Sequence, residues 1–94
     1  MTRAWENAKP LIEAALEYQD THSITDVERE LANDRAQLWC GEKSAIVTQM
    51  EDYPAGKKVR VWLAGGEMNE LLEMLPDIEA WAAGAGCLSV VIAG

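Results

Sequence analysis

The chain is poor in several residue types on which protein chemistry commonly depends. It has one histidine, two cysteines and no phenylalanine, and 8 basic residues stand against 16 acidic ones. A site built on several histidines is therefore excluded, and Cys, His and carboxylate residues do not cluster at the spacing of metal ligands. The formal net charge of −8 repels nucleic-acid phosphates and anionic lipids. We therefore expect no metal, nucleic acid or membrane surface as a partner.

Long apolar runs are also missing. None approaches the ~20 residues needed to span a bilayer, and no charged-then-apolar leader opens the chain. Cys40 and Cys87 lie far apart, inside the apolar runs LWC and GCLSVV. This placement favours buried free thiols over a disulfide, although a disulfide stays open. Together these features predict a cytoplasmic protein.

The overall composition is that of an ordinary globular protein. Apolar residues make up 49% of the 94 residues and charged residues 26%, and no internal repeat is present. Four tryptophans supply core volume in the absence of phenylalanine. The length predicts one compact domain over residues 1–94.

The first third of the chain predicts two helices. Five apolar residues recur at helical spacing: Trp5, Ala8, Ile12, Ala15 and Leu16. Pro10 interrupts them, and either begins a new helix or lies inside a longer, kinked one. Thr25 followed by Glu28 fits a capping box for a second helix through VERELA, which Asn33 and Asp34 end.

From residue 36 the hydrophobic period changes to that of strands. The segments AQLWC, SAIVTQME and KVRVWLA are separated by the turn-prone GEK and DYPAGK, which predicts an antiparallel meander. In the third strand, simple alternation places Val59, Val61 and Leu63 on one face and Arg60 and Trp62 on the other.

A long helix and a last strand complete the pattern. The helix EMNELLEMLPDIEAWAAG contains Pro76, which must kink or split it, and it carries an apolar stripe of Met68, Leu71, Leu72, Leu75, Ile78 and Ala82. The chain ends on CLSVVIAG, a near-continuous apolar segment that is typical of a strand buried on both faces. A right-handed crossover places this strand parallel to VRVWLA. The predicted fold class is α+β, a mixed sheet with helices on both faces.

This element order resembles the GNAT superfamily of acyl-CoA-dependent N-acyltransferases. The segments QLWCGEKSAIVTQMEDYP, VWLAGG and IEAWAAGAGC look like those of short GNAT-like proteins found in phage and prophage gene sets. The resemblance covers nearly the whole chain, and the C-terminal part of the family fold is absent. It implies that residues 59–64 and 88–93 splay apart around the pantetheine arm of acetyl-CoA. The cofactor-binding residues that it implies are Trp62, Leu63, Ala64, Gly65 and Gly66.

The turn before the long helix departs from the family pattern. The family has a Gln or Arg followed by a Gly-x-Gly or Gly-x-Ala turn, whose amides hold the cofactor pyrophosphate. Here the sequence is AGGEMNE. Of the family motif it retains only Gly65 and Gly66, and it places Glu67 and Glu70 in the first helical turn. Carboxylates there are stabilised by the helix dipole and repel a diphosphate. We therefore expect no bound cofactor. The family's usual catalytic tyrosine lies beyond residue 94, so the catalytic residue is unknown.

The charged residues of the predicted second hairpin have two interpretations each. Glu51 and Asp52 are candidates for a general base, but a solvated turn is favoured. Lys57, Lys58 and Arg60 form the only basic cluster, which fits cofactor phosphates or, more simply, a charged hairpin tip that protects an edge.

Three further residues also have two interpretations each. His22 is the single candidate for histidine chemistry, and a solvated loop histidine is the simpler interpretation. Trp62 is either a core residue or a plug in the gap between the splayed strands. Trp81 either packs the long helix on the sheet or lies at a partner surface.

Two functional hypotheses follow from these patterns. In the first, the chain is a non-catalytic, GNAT-derived binding or assembly protein of phage or prophage origin. It associates with itself or with another protein through its terminal strand, by Leu88, Val90, Val91 and Ile92. In the alternative, it is an acetyl-CoA-dependent N-acetyltransferase whose site is completed by missing residues or by a partner chain.

Overall fold

A mixed four-stranded sheet with helices on both faces forms the fold. The computed structural model describes residues 3–17 and 23–92. The elements are α1 (Arg3–Leu16), α2 (Ile24–Ala32), β1 (Ala36–Cys40), β2 (Ala45–Tyr53), β3 (Gly56–Gly65), α3 (Met68–Gly84) and β4 (Val90–Ile92). The strands lie in the order β1-β2-β3-β4, with β1 to β3 antiparallel and β4 parallel to β3. The predicted α+β class and mixed sheet are confirmed. Among the described helices, none is sufficiently long and apolar to pass through a membrane.

Helices α1 and α2 cover one face of the sheet. Trp5, Ala8 and Ile12 of α1 are buried with Val27 of α2 against the sheet, because residues three to four positions apart share one side of a helix. Pro10 lies inside α1, which continues from Arg3 to Leu16. Of the two arrangements left open by the sequence, the structure has the single longer helix.

The N-terminal cap of α2 differs from the predicted one. Ser23 is the N-cap, and its backbone amide donates to the Asp26 carboxylate at 2.9 Å while its hydroxyl accepts from the Asp26 amide. The predicted box of Thr25 and Glu28 is wrong because Glu28 is used elsewhere. Its carboxylate accepts from the indole N–H of Trp5 at 2.9 Å, which joins α2 to α1.

A β-bulge in β3 changes which side chains face α3. Val47 pairs with Leu63 but the next residue, Thr48, pairs with Val61, so Trp62 is an extra residue on β3. Such an insertion reverses the alternation beyond it. Val61 therefore lies on the α3 side, whereas Trp62 and Leu63 both lie in the core under α1 and α2. The prediction that Leu63 shares a face with Val61 is wrong for this reason.

Helix α3 covers the opposite face through its C-terminal half. Ile78 and Ala82 are buried on Ile46, Val59 and Val61. Pro76 lies within α3, which runs unbroken from Met68 to Gly84. The predicted apolar stripe is only partly buried, because Met68 and Leu72 remain 68% and 56% exposed.

Strand β4 is shorter and more exposed than its apolar sequence predicted. It pairs with β3 over three positions, Val59–Val90, Arg60–Val91 and Val61–Ile92. The burial predicted for both faces is wrong, since Leu88 is 57% and Val91 39% exposed. Ala93 and Gly94 lie outside the described residues, so the implied splaying of the two strands beyond Ile92 stays a prediction.

Candidate functional site

The turn between β3 and α3 is tightly packed against the rest of the protein. Gly66 has φ of +118°, and a Cβ placed there would lie well inside 3.0 Å of the Lys43 carbonyl oxygen and the Ser44 Cα. At Gly65 a Cβ would come equally close to the carbonyl oxygen of Leu11 in α1. Backbone from α1 and from the β1–β2 loop thus closes on the turn, and close packing by itself requires both glycines.

The amide at the beginning of α3 is already hydrogen-bonded. Glu67 is the N-cap, and its backbone N–H donates to the Ser44 hydroxyl at 3.0 Å. Ser44 is a buried residue of the β1–β2 loop. The Glu67 carboxylate makes an exposed ion pair with the Lys43 ammonium at 3.6 Å. A phosphate at this position would have to compete with the Ser44 hydroxyl and approach the Glu67 carboxylate.

Glu70 places a carboxylate in an amide-lined pocket next to the same turn. Its two oxygens accept from the backbone amides of Lys43 at 2.8 Å and Glu42 at 3.0 Å. The hydrogen bond from the Ser44 hydroxyl, followed by that from the Lys43 amide, lowers the pKa of Glu70 from its ordinary value. These amides belong to the β1–β2 loop, whereas the sequence placed the interaction at the first turn of α3 itself.

The residues implied to bind acetyl-CoA are not gathered in one open site. Trp62 and Leu63 are buried in the core under α1 and α2, which is the core interpretation of Trp62. Ala64 is exposed and lines a groove beside α3, while Gly65 and Gly66 pack on neighbouring backbone. At this turn the Glu67 amide donates to Ser44, and protein backbone fills the space beside Gly65 and Gly66.

An apolar groove lies between the first half of α3 and the sheet. Its volume is about 250 Å³, and it is lined by Ile46, Val61, Ala64, Met68, Leu71, Leu72 and Leu75. Polar side chains are missing from this lining. The groove can receive apolar groups, but it supplies no acid or base for chemistry.

The charged residues of the β2–β3 hairpin pair with each other. Glu51 accepts from the Arg60 guanidinium at 3.1 Å and from the Tyr53 hydroxyl at 2.6 Å. The latter hydrogen bond raises the pKa of Tyr53. The Lys58 ammonium lies 5.1 Å from the centre of the Tyr53 ring, within reach of a cation–π interaction. The Glu51 carboxylate is engaged by Arg60 and Tyr53 within the hairpin, which favours the interpretation as a charged hairpin tip.

The remaining candidates fall in separate places. Trp81 packs on Trp39 of β1 with ring centres 5.5 Å apart, so it joins α3 to the sheet. Cys40 and Cys87 form no disulfide, and the predicted burial is wrong for Cys40, which is exposed at the end of β1. His22 lies outside the described residues. Within residues 3–17 and 23–92, no group of three or more His, Cys, Asp or Glu residues is arranged to hold a metal.

The contacts that close the turn come from residues the sequence did not single out. Ser44 lies 23 positions from Glu67, to which it is hydrogen-bonded, and Leu11 lies 54 positions from Gly65, on which it packs. Local sequence carries no signal for contacts over such distances. Comparison with known proteins adds no assignment, because neither a family model nor a curated protein nor a solved structure matches this chain.

Proposed function

We propose that this chain is a non-catalytic binding protein with a GNAT-like arrangement, of phage or prophage origin. The order of its elements supports the GNAT-like part, since an antiparallel meander is followed by a crossover helix and a strand parallel to β3. One observation carries the functional part. The turn at which GNAT enzymes hold the cofactor pyrophosphate is closed here by Ser44, Glu67 and Glu70.

The terminal strand supplies the binding surface in this proposal. Val90 packs inward against α3, whereas Leu88 and Val91 are exposed. In the described residues β4 is the last strand of the sheet, and it pairs on one side only. An apolar edge strand offers main-chain hydrogen bonds and side-chain contacts to a strand of another chain. The chain would associate there with itself or with another protein.

Titration calorimetry with CoA and acetyl-CoA tests the non-catalytic part. We expect no binding, because a diphosphate would have to displace the Ser44 hydrogen bond and lie beside two carboxylates. Binding in the micromolar range would overturn the proposal. A turn that accepts the cofactor cannot be closed in the way described.

Light scattering after size-exclusion chromatography tests the edge. If the chain self-associates, Val91→Lys should shift it toward the monomer, because a lysine on an exposed edge opposes strand pairing. Ala32→Lys is the matched control: it adds the same charge at an exposed position at the end of α2. Equal effects of the two changes would show that net charge, not the β4 edge, controls association.

The apolar groove beside α3 favours a second candidate, an acetyl-CoA-dependent N-acetyltransferase. The groove adjoins β3, where the family places the pantetheine arm, and its lining is apolar. A thermal melt with acetyl-CoA tests this alternative. Ligand at 100 times its Kd stabilises a protein by ~2.7 kcal/mol, which raises the Tm of a domain of this size by about 10 °C or more. An unchanged melt at millimolar acetyl-CoA contradicts it.

A further inference from the structure

The exposed large apolar side chains of the described residues are concentrated in one region. Five such residues are exposed. Met68 and Leu72 belong to α3, and Leu88 lines a cavity with α3. Val91 alternates with Val90, which packs against α3, so it faces the other side of the sheet, and Tyr53 lies at the tip of the β2–β3 hairpin. Scattered apolar residues need no explanation, but a concentration along one helix and its neighbouring strand marks an interaction surface.

One flank of α3 joins two cavities in this region. Met68, Leu72, Leu75, Glu79 and Ala83 follow each other at spacings of three or four residues, so they form one stripe along the helix. Met68, Leu72 and Leu75 line the apolar groove, and Glu79 and Ala83 line a second cavity of about 310 Å³ with Leu88 and Val90. We call this stripe the α3 flank. At 1.5 Å per residue it is about 22 Å long.

The charges on α3 all have one sign. The helix carries Glu70, Glu73, Asp77 and Glu79 and contains no basic residue. Glu70 is held by the β1–β2 loop. Among the ion pairs of the described residues, Glu73, Asp77 and Glu79 take part in none. Glu79 lies on the α3 flank itself, in the lining of the second cavity.

The negative charge of α3 favours a partner with positive charge. A second copy of the chain also carries a net charge of −8 and would be repelled from an acidic helix. Three of the basic side chains that a copy would offer are already engaged: Lys43 with Glu67, Lys58 with the Tyr53 ring, and Arg60 with Glu51. A partner with the opposite charge gains both apolar burial and electrostatic attraction.

We infer that the α3 flank binds a cationic amphipathic segment of another protein. Apolar side chains of the segment enter the apolar groove, and a lysine or arginine approaches Glu79 at the second cavity. This inference rests on the proposed binding function and adds the chemistry of the partner. It also places the contact on α3, next to the β4 edge, so the two surfaces can be tested separately.

Selection from a random peptide display library on the intact chain tests the inference without knowledge of the natural partner. We expect the enriched peptides to be basic and to carry Leu, Ile, Val, Met or aromatic residues. Synthetic versions should bind about fivefold more weakly to Glu79→Lys, because an attraction of an exposed pair becomes a repulsion. Leu72→Ser should weaken binding about tenfold through lost apolar burial.

Two controls separate the flank from general effects of charge and folding. Glu13→Lys makes the same change at an exposed position of α1, on the other face of the sheet, and should leave affinity within about twofold. Met68→Ser should repeat the loss seen with Leu72→Ser, because both side chains are exposed and their removal leaves the core intact.

Several outcomes would overturn the inference. These are enrichment of neutral or acidic peptides, equal weakening by Glu79→Lys and Glu13→Lys, and failure to enrich any peptide. Peptides that lose binding with Val91→Lys but not with Leu72→Ser would also overturn it, while leaving the proposed β4 edge intact. A wild-type dimer that Leu72→Ser dissociates would identify a second copy as the occupant. Micromolar CoA binding would instead refute the proposed non-catalytic function, whatever the peptides show.

Discussion

The closed turn predicts that four glycines respond differently to substitution by alanine. Gly66 combines a positive φ with close contact to backbone, whereas Gly65 has the close contact without a positive φ. Gly86 has φ of +83° but open space around it, and Gly84 has open space and helical backbone. The four Gly→Ala variants therefore separate backbone strain from crowding at the turn.

The expected changes in the free energy of unfolding follow from backbone strain and crowding. Gly84→Ala should raise the free energy of unfolding by up to ~1 kcal/mol, because alanine is the better helix former. Gly86→Ala should lower it by ~1–3 kcal/mol, the cost of a non-glycine residue at positive φ. Gly65→Ala should lower it by ~1–3 kcal/mol through overpacking against α1. The sum for Gly66→Ala is ~2–6 kcal/mol, a large part of the stability of a small domain.

Urea unfolding followed by tryptophan fluorescence measures all four variants against the wild type. Unchanged m-values would show that the same surface is exposed in each case. The critical comparison is between Gly66→Ala and Gly86→Ala. If Gly66→Ala costs no more than Gly86→Ala, then Lys43 and Ser44 do not crowd the turn. Crowding would then not oppose a phosphate at this position.

Three further predictions concern the contacts around the turn and the helix that follows it. Ser44→Ala should lower the free energy of unfolding by ~1–3 kcal/mol, because the part-buried Glu67 amide loses its acceptor. An unchanged free energy in urea unfolding would mean that water replaces the hydroxyl. Glu70 has a lowered pKa, so its ionised form contributes stability above the ordinary carboxyl pKa of 4.5, and this contribution is lost as pH falls through the folded-state pKa. The difference in Tm between the wild type and Glu70→Gln should therefore shrink on acidification, and a constant difference contradicts the assignment. A double-mutant cycle with Trp39→Leu and Trp81→Leu should give a coupling of ~0.5–1.5 kcal/mol, and additive losses would show that the edge-to-face pair adds nothing beyond burial.

The order of the elements was predictable because hydrophobic period is a local property. The change from helical spacing before residue 33 to alternation after residue 36 marks the boundary at which α2 ends and β1 begins. The parallel placement of β4 followed from the strand–helix–strand order, because a helix that returns along the sheet brings the next strand back in the same direction. These inferences needed no knowledge of which residues touch.

The errors arose where contacts between distant segments decide the outcome. Thr25 with Glu28 satisfies the capping-box pattern as well as Ser23 with Asp26, but Glu28 has a stronger use in accepting the Trp5 indole N–H. The bulge at Trp62 is visible only in the pairing of β3 with β2, because the sequence of one strand alone does not show which residue is inserted. At the candidate site, the glycines and glutamates could be identified from the sequence, whereas the Ser44 hydroxyl that closes the turn could not.

The sequence pattern strand–Gly–Gly–helix serves two purposes that only the surroundings distinguish. In both cases glycine is needed because something approaches the backbone closely. In a phosphate site the approaching group is the ligand, and the helix amides stay available for it. Here the approaching groups are the Leu11 and Lys43 carbonyls, and the amide of the N-cap residue Glu67 donates to Ser44. Exposed apolar side chains and a carboxylate that takes part in no ion pair of the described residues, Met68, Leu72 and Glu79, lie together on α3. We therefore propose a partner protein, not a nucleotide cofactor, as the ligand of this surface.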